Sequence, residues 1–202
     1  MKRKLETVEE EMRKKKFSVQ NAETTRLLDK MESIAKDKMD EPLISASDSE
    51  RSNKVFMLTA IRKNAKMFKY ASAELQNDKE VALAAVSRRG DLFKYVGCDL
   101  QNDDEVVLAA VRNNAWAFKW ASECLHRDKN FVLTAIIHNP AVYLYISTDL
   151  KNDKEVVLAA VRQDEITLDF IPKDIESDTE FMKQLYSEAG SAAKTSRTVK
   201  IK

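Results

Sequence analysis

Asp103-Asp-Glu-Val-Val-Leu-Ala-Ala-Val111 decides the fold, because the chain repeats this stretch in register. Asp78-Lys-Glu-Val-Ala-Leu-Ala-Ala-Val86 begins 25 residues earlier, and Asp153-Lys-Glu-Val-Val-Leu-Ala-Ala-Val161 begins 50 residues later. The midpoint holds a weaker copy, Asp128-Lys-Asn-Phe-Val-Leu-Thr-Ala-Ile136. Another weak copy starts at Asn53 and a partial one at Asp178. A fixed period this short means a stacked array, in which each unit buries its apolar face on its neighbours. Arrays of this kind generally recognise other macromolecules rather than carry out chemistry.

Aligned at this spacing, the copies resolve into columns with separate physical jobs. Asn53, Asp78, Asp103, Asp128, Asp153 and Asp178 precede an apolar run, where each side chain suits the free N–H groups of a helix start. Glu80, Glu105, Glu155 and Glu180 follow two residues later and complement the positive end of the helix dipole. Six apolar residues such as Val106 to Val111 also fit a buried strand. The caps and the Ala content favour a helix, since Ala is the best helix former and a poor strand former. Such a helix lacks a polar face and needs neighbours on several sides. The column Ala60, Ala85, Ala110, Ala135 and Ala160 lets those neighbours approach closely, and Leu58, Leu83, Leu108, Leu133 and Leu158 read as core.

A break follows at Asn64, Arg89-Gly90, Asn114, Asn139-Pro140 and Asp164, with Asn suited to the left-handed conformation that ends many helices. A second helix then carries Phe68, Phe93, Phe118, Tyr143 and Leu168, with Tyr70, Tyr95, Trp120, Tyr145 and Phe170 two residues on. Lengths of about ten and about eight residues give helices of roughly 15 and 12 Å. The expected fold is all-α: an α-solenoid of tandem 25-residue helix-turn-helix units with helical caps at both ends. The units start near 52, 77, 102, 127 and 152, with a partial cap from 177, so the repeat domain covers 52–189. Residues 1–40 read as a helical cap with a basic start, its amphipathic stretch near 21–39. Residues 41–51 read as a linker and 190–202 as a disordered basic tail.

Composition agrees. Only 3 Gly and 3 Pro among 202 residues, with 33% charged, suit a helical chain. A formal net charge of +1 supplies no global field that would draw nucleic acid. The start of the chain lacks the apolar core of a secretory signal, and no apolar run is long enough for a membrane span. Cys98 and Cys124 are too few for a disulfide framework, which points to a reducing, cytoplasmic setting.

Catalytic constellations are not evident. His126 and His138 stand in different units without metal-ligand spacing, and Cys124 lacks a third group to orient a base beside it. Glycines at 90, 97 and 190 make no phosphate loop. The acidic column is a set of caps. No enzymatic activity, cofactor or metal is expected.

The surface columns are more informative. Lys69, Lys94 and Lys119 share one column, and Arg62, Lys63, Arg88, Arg89 and Arg112 cluster at the ends of the inner helices. Cations there complement helix dipoles and solvate the surface; alternatively, they form a stripe for an acidic partner. Later copies break the pattern. Ile137 stands where others have Arg or Ser, Leu144 replaces Lys, and another column reads Lys66, Asp91, Trp116, Ala141, Ile166. These departures either pack on a terminal segment or form an exposed apolar patch anchored by Trp116. The expected partner is another protein. A nucleic acid held by the basic stripe is the second reading, and Lys2-Arg3-Lys4 with Arg13-Lys14-Lys15-Lys16 vaguely resembles a nuclear import signal.

The signature Asp-x-Glu-Val-Val-Leu-Ala-Ala-Val, followed by Phe-Lys-Tyr or Phe-Lys-Trp and a closing Leu, resembles a known family. It is similar to the domain-of-unknown-function tandem repeat found in protists, large viruses and bacteria that live inside amoebae. The likeness covers about residues 52–176 and implies the helical array, with no catalytic residue to carry over. Gly190 to Lys202, rich in Ser, Thr and Ala, is similar to the tails of effectors exported by type IV secretion. That likeness implies a leaderless effector delivered into a host cell.

Overall fold

A computed structural model describes residues 47–188, and among them every regular element is helical. Six longer helices carry the copies: α1 (Lys54–Lys63), α2 (Lys79–Val86), α3 (Asp104–Asn113), α4 (Lys129–His138), α5 (Lys154–Gln163) and α6 (Thr179–Glu188). The cap column works as its residue types require. Asp78, Asp103, Asp128 and Asp153 each accept hydrogen bonds from the N–H groups two and three residues on. Asn53 accepts one from Phe56, and Asp178 one from Phe181.

The breaks differ from expectation. Asn64, Arg89, Asn114, Asn139 and Asp164 are extended, with φ between −157° and −141°, not left-handed. Their role explains the difference. Asn64, Asn114, Asn139 and Asp164 close the preceding helix through their backbone N–H and, with their side chains, accept from the N–H two residues on, so each also starts the next segment.

That next segment is not one outer helix. It is a six-residue 3-10 helix (Ala65–Tyr70, Gly90–Tyr95, Ala115–Trp120, Pro140–Tyr145, Glu165–Phe170), then an extended step, then a short helical turn. Ser72, Ser122 and Ser147 impose the split, because each adopts extended angles and accepts from the N–H three residues on. Gly97 and Pro172 occupy the same column and are extended too. Ser47 is in register with them and forms a capping box with Glu50 at the turn Asp48–Arg51. The repeat therefore reaches into the stretch read as a linker. The helix expected near 21–39, the cap over 1–40 and the tail at 190–202 lie outside the described residues.

Consecutive long helices pack on one another in an inner row, and consecutive 3-10 helices pack in an outer row. Ala60, Ala85, Ala110, Ala135 and Ala160 are buried, which permits the close approach within the inner row. Phe68, Phe93, Phe118 and Tyr143 are fully buried too, each worth roughly 1.5–3 kcal/mol relative to exposure. The Leu column departs from the core assignment: Leu58, Leu83, Leu108, Leu133 and Leu158 are only half-buried against the core. Lys183, in the same column of α6, is exposed, and Leu185 there fills the Ala column and is buried.

Units are also tied by charge. Lys54, Lys79 and Lys129 each reach the cap Asp and the following Glu of the next unit, and Lys154 reaches Asp178, at 2.5–2.9 Å. One rung is different. Asp104 replaces the lysine, and Asn130 replaces the Glu it would have met.

Candidate functional site

The surface columns fall into two groups with different surroundings. At the ends of the inner helices, part of the basic cluster is spent on the fold. Arg88 donates to the carbonyl oxygens of Ile61 (3.3 Å) and Arg62, which lie at the negative end of α1. Arg89 makes a two-toothed pair with Asp91 at 2.9–3.0 Å. Asn113 and Asn139 donate to the carbonyls of Ser87 and Val111 in the preceding units, both at 2.9 Å. The dipole reading accounts for Arg88, and the ion pair accounts for Arg89.

The outer row is built differently. In a 3-10 helix, residues three apart eclipse one another, so the second and fifth positions share one face. That face carries Lys66 with Lys69, then Asp91 with Lys94, then Trp116 with Lys119. It continues as Ala141 with Leu144 and Ile166 with Asp169. Since neighbouring outer segments pack side by side, these pairs form one continuous row. Its character changes along the array, from a lysine in each of the first three units, the third also carrying Trp116, to apolar at Ala141, Leu144 and Ile166, with Asp169 at its end.

The sixth position adds what the sequence reading left without a function. Trp120 is 39% exposed and Phe170 51%, beside Leu144 at 36% and Ile166 at 61%. Trp116 is half-buried and meets Trp120 edge to face, with ring centroids 5.9 Å apart. Hydropathy alone did not separate these aromatics from the buried column two residues before them. The signal that separates them is the 3-10 spacing, where the sequence alone favours a continuous helix.

Trp116, Leu144 and Ile166 therefore belong to one row. Ile137 does not. It is 64% exposed on α4, four residues beyond Leu133, and so lies on the half-open flank of the inner row. The apolar departures are two surfaces rather than one patch. Of the lysine column, Lys69 and Lys94 stand over the rings of Tyr70 (4.5 Å) and Tyr95 (5.0 Å), and Lys119 is exposed.

Other chemistry-bearing groups have structural surroundings. His126 packs at a tilt of 44° against Phe118, ring centroids 4.5 Å apart, and Cys98 and Cys124 are exposed and free. Burial pushes the Tyr143 phenol up to about 12, and its hydroxyl donates to the Lys151 carbonyl at 2.9 Å. Burial also lowers the Lys151 ammonium, which donates to the Leu144 carbonyl at 2.8 Å. Among the described residues, no group of three His, Cys, Asp or Glu side chains is placed to hold a metal. No helix among them is long and apolar enough to cross a membrane.

A family model described as "Domain of unknown function (DUF4116)" matches residues 53–97, 78–125 and 128–176. The matches cover more than half of the chain, and each begins at a residue of the cap column. The chain belongs to the DUF4116 family. No curated protein and no solved structure matches it. Each DUF4116 match runs close to two of the 25-residue units, and the first two overlap over 78–97, one unit apart in their starts.

Proposed function

We propose that this DUF4116 chain is a non-enzymatic protein-interaction module that binds through its outer row. One observation carries the reading: Trp116, Trp120, Leu144, Ile166 and Phe170 are exposed or half-buried on outer segments that pack consecutively. Contiguous apolar surface with rigid aromatic anchors is what protein-binding sites are made of. Delivery into a host cell as an effector belongs to the same reading, supported by the composition of residues 190–202 and tested by transfer of a reporter fused to the chain.

The binding reading is tested by affinity purification with mass spectrometry on wild type and a Trp120→Ala, Ile166→Ser double variant. Both substitutions fall on exposed side chains, so circular dichroism should be unchanged. The expected result is loss of the proteins recovered with wild type. With a purified partner, Trp116→Ala should lose at least about 2 kcal/mol of binding energy, as truncated hot spots do. An unchanged set of proteins overturns the reading.

A further inference from the structure

The outer row also carries charge, and its distribution narrows what the partner can be. The lysines at the starts of the inner helices are consumed by the fold: Lys54, Lys79, Lys129 and Lys154 all meet carboxylates of the next unit. The outer row is different. Lys66, Lys94 and Lys119 make no ion pair among the described residues, and Asp91, the acid in those columns over the first three units, is already held by Arg89. Towards the far end the row turns apolar at Leu144 and Ile166 and ends at Asp169, with the exposed Glu165 next to it in the chain.

Resting on the outer-row reading above, we propose that the occupant is a linear protein segment whose acidic stretch lies over units one to three and whose apolar stretch lies over units three to five. Charge complementarity sets its direction, because the reversed segment would take its carboxylates away from Lys66, Lys94 and Lys119 and place them beside the exposed Glu165. The same gradient argues against a nucleic acid, whose phosphates are uniform along the strand and would meet apolar and then acidic surface. Helices packed about 8–10 Å apart put the first and fifth units about 32–40 Å apart. An extended chain spans that in about 10–12 residues at roughly 3.3 Å each.

A displayed library of random peptides of about 16 residues covers that length and is panned on the full chain. Enriched peptides should carry an Asp/Glu cluster to one side of an aromatic or aliphatic cluster. Their affinity should fall at least about tenfold in a Lys66→Glu, Lys94→Glu, Lys119→Glu variant, and likewise in Trp120→Ala, Ile166→Ser. Circular dichroism of both variants should match wild type, and both should remain folded in urea melts well beyond the binding conditions. Enriched peptides that are apolar without acids, and indifferent to the lysine variant, overturn this inference and leave the outer-row reading standing. Peptides indifferent to Trp120→Ala, Ile166→Ser overturn both. No enriched peptide, or steeply salt-dependent binding of a uridine 20-mer through the same lysines, overturns the inference as well.

Discussion

Leu108 and Phe118 show how neighbouring columns of similar hydropathy carry different loads. Phe118 is fully buried between the rows, and Phe118→Ala should cost about 3–5 kcal/mol. Leu108 is only half-buried, so Leu108→Ala should cost less than about 2 kcal/mol, below the range for a core leucine. Urea melts giving the reverse order would mean the faces are misassigned. Asp104 makes a sharper test, since it stands where four other units place the ladder lysine. Asp104→Lys combined with Asn130→Glu should rebuild the rung to Asp128 and add about 0.2–1 kcal/mol, the scale of exposed ion pairs. The gain should shrink at high salt and with Asp128→Asn. A loss of stability at low salt would show that the rung geometry does not hold at this junction.

At the scale of elements, the junction between the second and third units holds the tightest backbone approach to a glycine among the described residues. A Cβ on Gly90 would lie 2.2 Å from the Ala110 carbonyl oxygen and 2.9 Å from the Asn114 backbone nitrogen. Those atoms belong to α3 and its end, so they cannot swing aside as a side chain would. Gly90→Ala should therefore cost about 1–3 kcal/mol by overpacking, even though Ala65 and Ala115 occupy the same column in flanking units. Thermal melts showing no loss would mean that the junction can widen to the spacing of its neighbours. Asn114 links two elements directly, ending α3 and accepting from the Trp116 N–H at 3.1 Å. It thereby aims Trp116 along the outer row.

Over residues 47–188 the array is held by contacts between consecutive units, which makes phase more important than length. Removing residues 102–126, one full unit, keeps Lys79 opposite Asp128 and should leave a folded, less stable chain. Removing 102–114 deletes one inner helix and breaks the phase, and should abolish the cooperative melt. Equal tolerance would contradict the stacked arrangement. The carboxylate end of the ladder also sets an acid limit. The Lys54 and Lys154 hydrogen bonds hold Asp78 and Asp178 below the usual aspartate value. For Asp103 and Asp153 burial pushes upward, but the lysine and backbone N–H bonds outweigh it and the net shift is downward. A depressed folded value means stability that is present above the ordinary aspartate pKa of about 3.9 and lost as pH falls through the lower folded values. The urea midpoint should therefore vary little from these groups between neutral pH and about 4, then drop below it. Lys54, Lys79 and Lys129 are raised by their hydrogen bonds to the carboxylates, so their share is lost only as pH rises beyond about 10.4.

The 25-residue period, the cap column, the helical state of the copied runs and the close-packing Ala column were legible in the sequence. Each depends on local chemistry: a carboxylate beside free N–H groups, Ala propensity, and spacing along one chain. The tertiary structure decided the rest. It split the outer segment at Ser72, Ser122 and Ser147, and 3-10 spacing then placed Trp116 and Lys119 on one face. It left Leu108 half-open, exposed Trp120 and Phe170, and separated Ile137 from the row that holds Leu144 and Ile166. Exposure is fixed by which neighbouring unit covers a side chain, and pairing by carboxylates 24 to 26 residues away. Neither is a property of the residue or its own helix, and so hydropathy along one chain does not reveal them.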